Sequence, residues 1–230
     1  MENSEEIEVA PGYSRIRSKS IPKVKTRKNF SPYFAVKRIA DVVLSIIALV
    51  FLSPLFLIVA VAIKWDSPGP VFYSQERVGE NGKTFKLYKF RSMYVDADKK
   101  LCELKKLNKR EGPAFKISDD PRVTKVGKFI RATCIDELPQ LINILKGEMS
   151  IVGPRPPLPE EVEHYSSYQL QRLQAQPGLT CYWQVHKEEA STFDDWVAMD
   201  LQYIEKQCIS IDIRLILSTF GVIVKRKGEV

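Results

Sequence analysis

The sequence predicts an α+β fold, mainly helical, carried on an N-terminal re-entrant membrane helix, and three observations predict it. The 22 residues from Val42 to Ile63 carry no charge, yet Ser53-Pro54 sits in their middle. Period-two alternation then flanks Asn81-Gly82, the signature of a β-hairpin. Further on, apolar residues recur at helical spacing, most clearly from Asp136 to Lys146. The chain divides accordingly into a basic, disordered tail (1–33), a membrane helix broken at Ser53-Pro54 (34–65) and a cytoplasmic domain with amphipathic interfacial helices (66–230). That is the layout of a monotopic membrane protein.

A chain of 230 residues with 44% apolar content can bury one sizeable core. Its 35 Lys and Arg against 28 Asp and Glu leave a net charge of +7, which suits an anionic partner: nucleic acid, lipid headgroups or phosphorylated substrates. Cys102, Cys134, Cys181 and Cys208 are widely spaced and show no zinc-ligand pattern, so they read as reduced thiols in a cytoplasmic environment. With His164 and His186 the only histidines, a His-based metal site or a Ser/His/Asp triad has few candidates. Carboxylates and cations must carry most of any chemistry.

The tail opens acidic and turns basic between Arg15 and Lys28, with few large apolar residues; it suits contact with anionic lipid just ahead of an apolar segment. The uncharged run that follows exceeds the ~20 residues a bilayer crossing needs. Lys37 and Arg38 precede it, and Lys64, Arg77, Lys83, Lys86, Lys89 and Arg91 follow it, so positive charge marks both flanks as cytoplasmic. Pro54 removes a helical hydrogen bond, and a chain that bends there and returns to the same face reconciles proline with charge. A kinked single span stays open as the alternative, because membrane helices tolerate proline.

Strands are expected over 71–77 and 84–93 with a tight turn at Asn81-Gly82, placing Lys89 and Arg91 on one face and Tyr88 and Phe90 on the other. The cationic face either meets solvent or faces phosphate. Helices are expected over 96–108, 122–132, 136–146, 158–174 and 192–207. Within 136–146, Pro139 falls in the first turn, where its missing donor is harmless, and Gly147 is the stop. Near the C-terminus only the 10 residues from Leu215 to Val224 are uncharged, too few to cross a membrane. This segment packs in the core or lies along the interface, and Lys225, Arg226 and Lys227 favour the interface.

Adjacent acids at a helix start, such as Asp136 and Glu137, usually cap it. Here Lys125, Lys128 and Arg131 come just upstream and Arg155 follows in GPRP. This bracket of cations would hold an anionic substrate while one carboxylate attacks it or binds a metal. A carboxylate is adequate against a phosphoryl centre whose charge Mg²⁺ and arginine neutralise.

Three stretches, SPGPVFYSQERVGENGKTFKLYKFRSM, DDPRVTKVGKFIRATCIDELPQLINILKGEMSIVGPRP and PGLTCYWQV, together resemble the bacterial sugar transferase family, the monotopic polyprenol-phosphate phosphoglycosyl transferases. The resemblance runs from about Lys37 to near the C-terminus. It implies a re-entrant helix broken at Ser53-Pro54 and an enzyme on the cytoplasmic face of the bacterial inner membrane. It also implies that a UDP-sugar gives its sugar phosphate to an aspartate with loss of UMP, and that polyprenol (undecaprenyl) phosphate then takes it up as a polyprenyl diphosphate sugar. This would be the first membrane step of bacterial glycoconjugate synthesis: exopolysaccharide, capsule, O-antigen or glycoprotein glycan. By motif position Asp136 is the implied nucleophile and Glu137 its partner, the two holding Mg²⁺. Arg131 and Arg155 are implied phosphate contacts, with Lys89, Arg91, Lys125 and Lys128 as further cationic candidates. PGLTCYWQVHKEEA departs from the family pattern PGITGWAQVNGRN, and Cys134-Ile135 replaces the usual Ser-Leu before the acids.

A membrane-anchored basic scaffold without catalysis is the competing class. Nucleic acid is not an expected partner, since no recognition helix, RNA-binding aromatic signature or zinc spacing is present. Membrane lipids of the cytoplasmic leaflet, the UDP-sugar and the polyprenol phosphate are the expected partners.

Overall fold

The computed structural model describes residues 32–97, 120–186 and 192–226. Most of the expected tail and most of the helix expected over 96–108 lie outside the described residues, as do the side chains of Lys225, Arg226 and Lys227. The described part is α+β and mainly helical, as the sequence predicts.

The first helix, α1 (Pro32–Asp66), is 35 residues long, about 50 Å at 1.5 Å per residue. It is long and apolar enough to cross a membrane, and most of it is uncovered by the rest of the chain. It is not broken at Ser53-Pro54: helical geometry continues through both residues. Proline leaves the carbonyl four residues back without a donor, and that carbonyl belongs to Val50. The Ser53 hydroxyl donates to it at 2.8 Å. The expected break is therefore a patched ladder inside one continuous helix.

Both ends of α1 are tied to the same domain. Near the start, Arg38 donates to the carbonyls of Ile144 (2.6 Å) and Leu145 (2.9 Å), and Asp41 accepts from the Ile151 N–H. Lys37 pairs with Asp212 at 2.9 Å. Near the end, Asp66 accepts from the Val126 N–H, while Val59 and Ile63 are buried against Phe90 and Ile130. Between these ends Ala48, Leu49, Leu55 and Phe56 pack on the domain, and the opposite face is bare, with Phe51 81% exposed.

Strands β1 (Phe72–Val78) and β2 (Thr84–Phe90) pair antiparallel, from Phe72 opposite Phe90 to Val78 opposite Thr84. Their connection is longer than the expected tight turn. Gly79 donates to the Lys83 carbonyl, and Asn81 and Gly82 both take left-handed backbone (φ 55° and 78°) within a 3₁₀ turn. Helix α2 (Lys125–Ala132) starts at Thr124, whose hydroxyl accepts from the Gly127 N–H. Gly127 packs directly on β2's exit: a Cβ there would lie 2.0 Å from the Ser92 carbonyl oxygen.

The segment expected as one helix over 136–146 is two elements. A 3₁₀ turn covers Ile135–Glu137, and α3 (Gln140–Lys146) follows Pro139 and ends at Gly147, φ 83°. The acids therefore precede the α-helix and are not its cap. Strands β3 (Ser150–Val152) and β4 (Gly178–Thr180) pair in parallel, so a crossover must join them. That crossover is α4 (Pro159–Glu163), α5 (Ser167–Leu170) and a 3₁₀ turn over Gln171–Gln174. One helix was expected over 158–174; Ser166 divides it by forming a capping box with Gln169 that starts a new helix.

The chain closes with α6 (Tyr182–Val185), α7 (Phe193–Lys206) and α8 (Ile209–Arg226). Helix α8 packs in the core through Asp212 and Leu215, which are buried, while Ile213, Leu217 and Phe220 are exposed.

Candidate active site

Three pieces of backbone converge on one cleft. The first is the acidic turn. Helix α2 ends at Ala132, and Cys134 adopts left-handed backbone (φ 56°), an uncommon conformation for a residue with a Cβ. This reversal sets Asp136 and Glu137 on a 3₁₀ turn, where successive side chains diverge by about 120° at three residues per turn. Asp136 turns to the larger of two adjoining cavities and Glu137 to the smaller.

The second piece is one face of the hairpin. Residues opposite each other in a strand pair point to the same side, so Tyr73 and Lys89 share a face with Gln75, Leu87 and Arg77. Lys89 holds Glu137 at 2.6 Å.

The third piece is the strap Gly153-Pro154-Arg155-Pro156-Pro157. Its prolines have no N–H to donate, and each carbonyl from Pro154 to Pro157 is pinned from outside. Gly178 N–H donates to Pro154, Arg172 to Arg155, Arg77 to Pro156 and Val78 N–H to Pro157, at 2.9, 3.3, 3.1 and 2.9 Å. Arg172 is itself buried, paired with Asp200 at 2.5 Å and donating to the Tyr165 hydroxyl. A strap held at every carbonyl presents the exposed Arg155 side chain with little freedom.

The larger cavity, about 380 Å³, is lined by Asp136, Arg131, Arg155, Lys89, Arg77 and Tyr73 among others. The smaller recess, about 20 Å³, is lined by Glu137, Gln140, Cys181, Trp183 and Gln184. Arg77, Lys89 and Arg155 border both, so a cationic wall stands between them.

Burial makes the two acids unlike. It pushes Asp136 up to about 6, with Glu137 adding to the rise and Lys89 and Arg131 opposing it. Burial also raises Glu137, but Lys89, Arg155 and Arg77 outweigh it and hold that carboxyl below its ordinary value. Burial, and then the charge of Arg155, lower Arg77 to about 10, so it remains a cation at neutral pH.

The structure thus brings together Asp136, Glu137, Lys89, Arg131 and Arg155. Arg91 reaches the larger cavity, but its two Nη groups donate to the carbonyls of Pro68 (2.6 Å) and Ser67 (2.7 Å), clamping the exit of α1. Lys125 instead borders an apolar groove between α1 and α2, and Lys128 is exposed on α2, one turn from Arg131. Sequence reasoning missed Arg77, Gln140 and Trp183 as lining residues. Strand register would have found Arg77, which shares a face with Lys89; Gln140 and Trp183 come from elements whose docking leaves no local signal.

Among the described residues no group of three or more His, Cys, Asp and Glu side chains could hold a metal. Mg²⁺ commonly takes one or two carboxylates and completes its shell with substrate phosphates and water. Asp136 and Glu137 turn to different cavities and Glu137 is paired with Lys89, so one carboxylate together with substrate phosphates is the set that fits.

Residues 32–226 match the family model described as bacterial sugar transferase. The chain belongs to the bacterial sugar transferase family. That sets a transferase in place of the non-catalytic scaffold. This sugar transferase is 45% identical over 197 residues to a galactosyl transferase, CpsE, of Streptococcus agalactiae, covering 85% of the chain and 44% of CpsE. It is 41% identical to the exopolysaccharide production protein ExoY of Sinorhizobium fredii, covering 84% of the chain and 87% of ExoY. It is also 41% identical to the undecaprenyl-phosphate galactose phosphotransferase of Salmonella typhimurium, covering 84% of the chain and 41% of that enzyme. The chain therefore spans less than half of two of these relatives and most of the third.

Proposed function

We propose that this protein transfers a sugar phosphate from a UDP-sugar to undecaprenyl phosphate at the cytoplasmic face of the bacterial membrane, as the first membrane step of an exopolysaccharide or related glycan. The observation that carries the reading is the acidic turn opening onto a cavity walled by Arg131, Arg155, Lys89 and Arg77, beside a membrane-length helix tied at both ends to the same domain.

An Asp136 Oδ attacks the phosphorus that bears the sugar. The bond from that phosphorus to the UMP oxygen breaks, UMP leaves, and the sugar phosphate is joined to Asp136 as an acyl phosphate. A phosphate oxygen of undecaprenyl phosphate then attacks the same phosphorus and frees Asp136, giving undecaprenyl diphosphate sugar. Arg131, Arg155 and Lys89 offset charge on the phosphoryl oxygens, and the pinned strap keeps Arg155 in place. Mg²⁺ would take Asp136 or Glu137 together with the substrate's phosphates, and when bound it neutralises phosphate charge. Glu137 is kept ionised by Lys89, and Asp136, raised to about 6, is mostly ionised at neutral pH and so can attack.

The lipid phosphate stays at the level of the headgroups, so the catalyst must be held there. The tethered ends of α1 support entry and return on one face, with the helix bending at Pro54 rather than ending there. The test is UMP release by detergent-solubilised protein with undecaprenyl phosphate, Mg²⁺ and UDP-sugars. Wild type is expected to release UMP, and Asp136→Asn to lose at least about 10³-fold of that rate, the scale of removing a covalent nucleophile. A near-normal rate in the variant overturns the mechanism.

A further inference from the structure

We propose that Cys181 and Trp183 select the sugar class of the donor, admitting a hexose and refusing its 2-acetamido counterpart. The inference rests on the sugar-phosphate reading of the cleft and concerns the recess beside Glu137.

The recess shares its cationic wall, Arg77, Lys89 and Arg155, with the cavity that holds Asp136. A phosphate on that wall carries its sugar through C1, so the substituent closest to the wall is the one on C2. The recess has room of about 20 Å³, roughly one water-sized group. Its polar lining of Glu137, Gln140 and Gln184 suits a hydroxyl, and an acetamido group adds three heavy atoms to the nitrogen that replaces the hydroxyl oxygen.

Two side chains limit the space, one buried and the other held by a ring contact. Cys181 is 4% exposed. Trp183 lies against Trp196 of α7, ring centroids 4.0 Å apart at 38°, so moving it disturbs an aromatic contact. In the pattern PGITGWAQV these two positions are Gly and Ala, which would leave the recess open.

The experiment measures kcat/KM for UMP release by the full chain in detergent with undecaprenyl phosphate and Mg²⁺. It pairs UDP-glucose with UDP-N-acetylglucosamine, and UDP-galactose with UDP-N-acetylgalactosamine. Wild type is expected to favour a hexose over its acetamido partner by about tenfold or more, the scale of forcing extra atoms into a packed site. Cys181→Gly/Trp183→Ala is expected to shrink that ratio by about the same factor, while Trp183→Phe, which keeps a stacked ring, preserves it. A merely structural loss lowers both donors together and leaves the ratio unchanged; that result in a variant with a normal melting transition overturns the proposal. Equal use of both donors by wild type overturns it without any variant, and leaves the transferase reading intact if Asp136→Asn abolishes release. Release from none of these donors overturns the transferase reading and the proposal with it.

Discussion

Asp136 is 8% exposed, and the burial that aims it at the cavity raises its carboxyl from 3.8 to about 6. In the unfolded chain the group ionises near its ordinary value, so the folded state favours the protonated acid. Protonated Asp136 contributes stability in full below about pH 4, and that contribution is lost as pH rises through about 6. Above that, the folded protein bears the cost of an ionised buried acid, up to about 3 kcal/mol at 1.36 kcal/mol per pKa unit. Asp136→Asn is therefore expected to melt at a higher temperature than wild type at pH 7.5 and at nearly the same temperature at pH 4, by thermal unfolding in detergent without Mg²⁺. A variant less stable at both pH values would show that Lys89 and Arg131 outweigh burial. The acids and the cations Arg131 and Arg155 are legible in sequence because one contiguous motif carries them. Their unequal ionisation is not, because it depends on Lys89 and Arg77 arriving from the hairpin.

Ser53-Pro54 shows how an element can retain its form where local rules predict a stop. The proline removes the donor for the Val50 carbonyl, and the neighbouring hydroxyl restores it. In lipid no water is available to take that place. Ser53→Ala alone is expected to cost about 1 kcal/mol, one net hydrogen bond, measured as unfolding of the detergent-solubilised protein. Ser53→Ala/Pro54→Ala should recover that loss, because alanine at 54 returns the N–H to the ladder; equal loss in single and double variants would show that the hydroxyl does not act there. The acidic turn has the converse history. Spacing of Leu138, Leu141, Ile142 and Leu145 suits a helix from Asp136, yet left-handed Cys134 and Pro139 leave the acids on a 3₁₀ turn. Periodicity reports which side chains share a face, and it does not report the handedness of one residue.

Across the whole molecule, α1 joins Asp212, Ile144, Leu145 and Ile151 through its first turns and Val126 through its last. A straight crossing would place those partners on opposite sides of a bilayer, although one domain contains them all. Cysteines placed at Glu5 and at Lys99, which flank α1 in sequence, are therefore expected to resist an impermeant thiol reagent in intact cells and to react together in inverted membrane vesicles. Labelling of one site alone from outside would establish a single span. The sequence by itself determined the apolar helix with charge on both flanks, the hairpin, the α+β class and the Asp136-Glu137 motif with its cations, because each is written in neighbouring residues. Only the tertiary structure decided the rest: the strap pinned by Arg172 and Arg77, the diversion of Arg91 to the exit of α1, and the packing of Trp183 beside Glu137. Each depends on contacts between residues far apart in the chain, which local propensity does not encode.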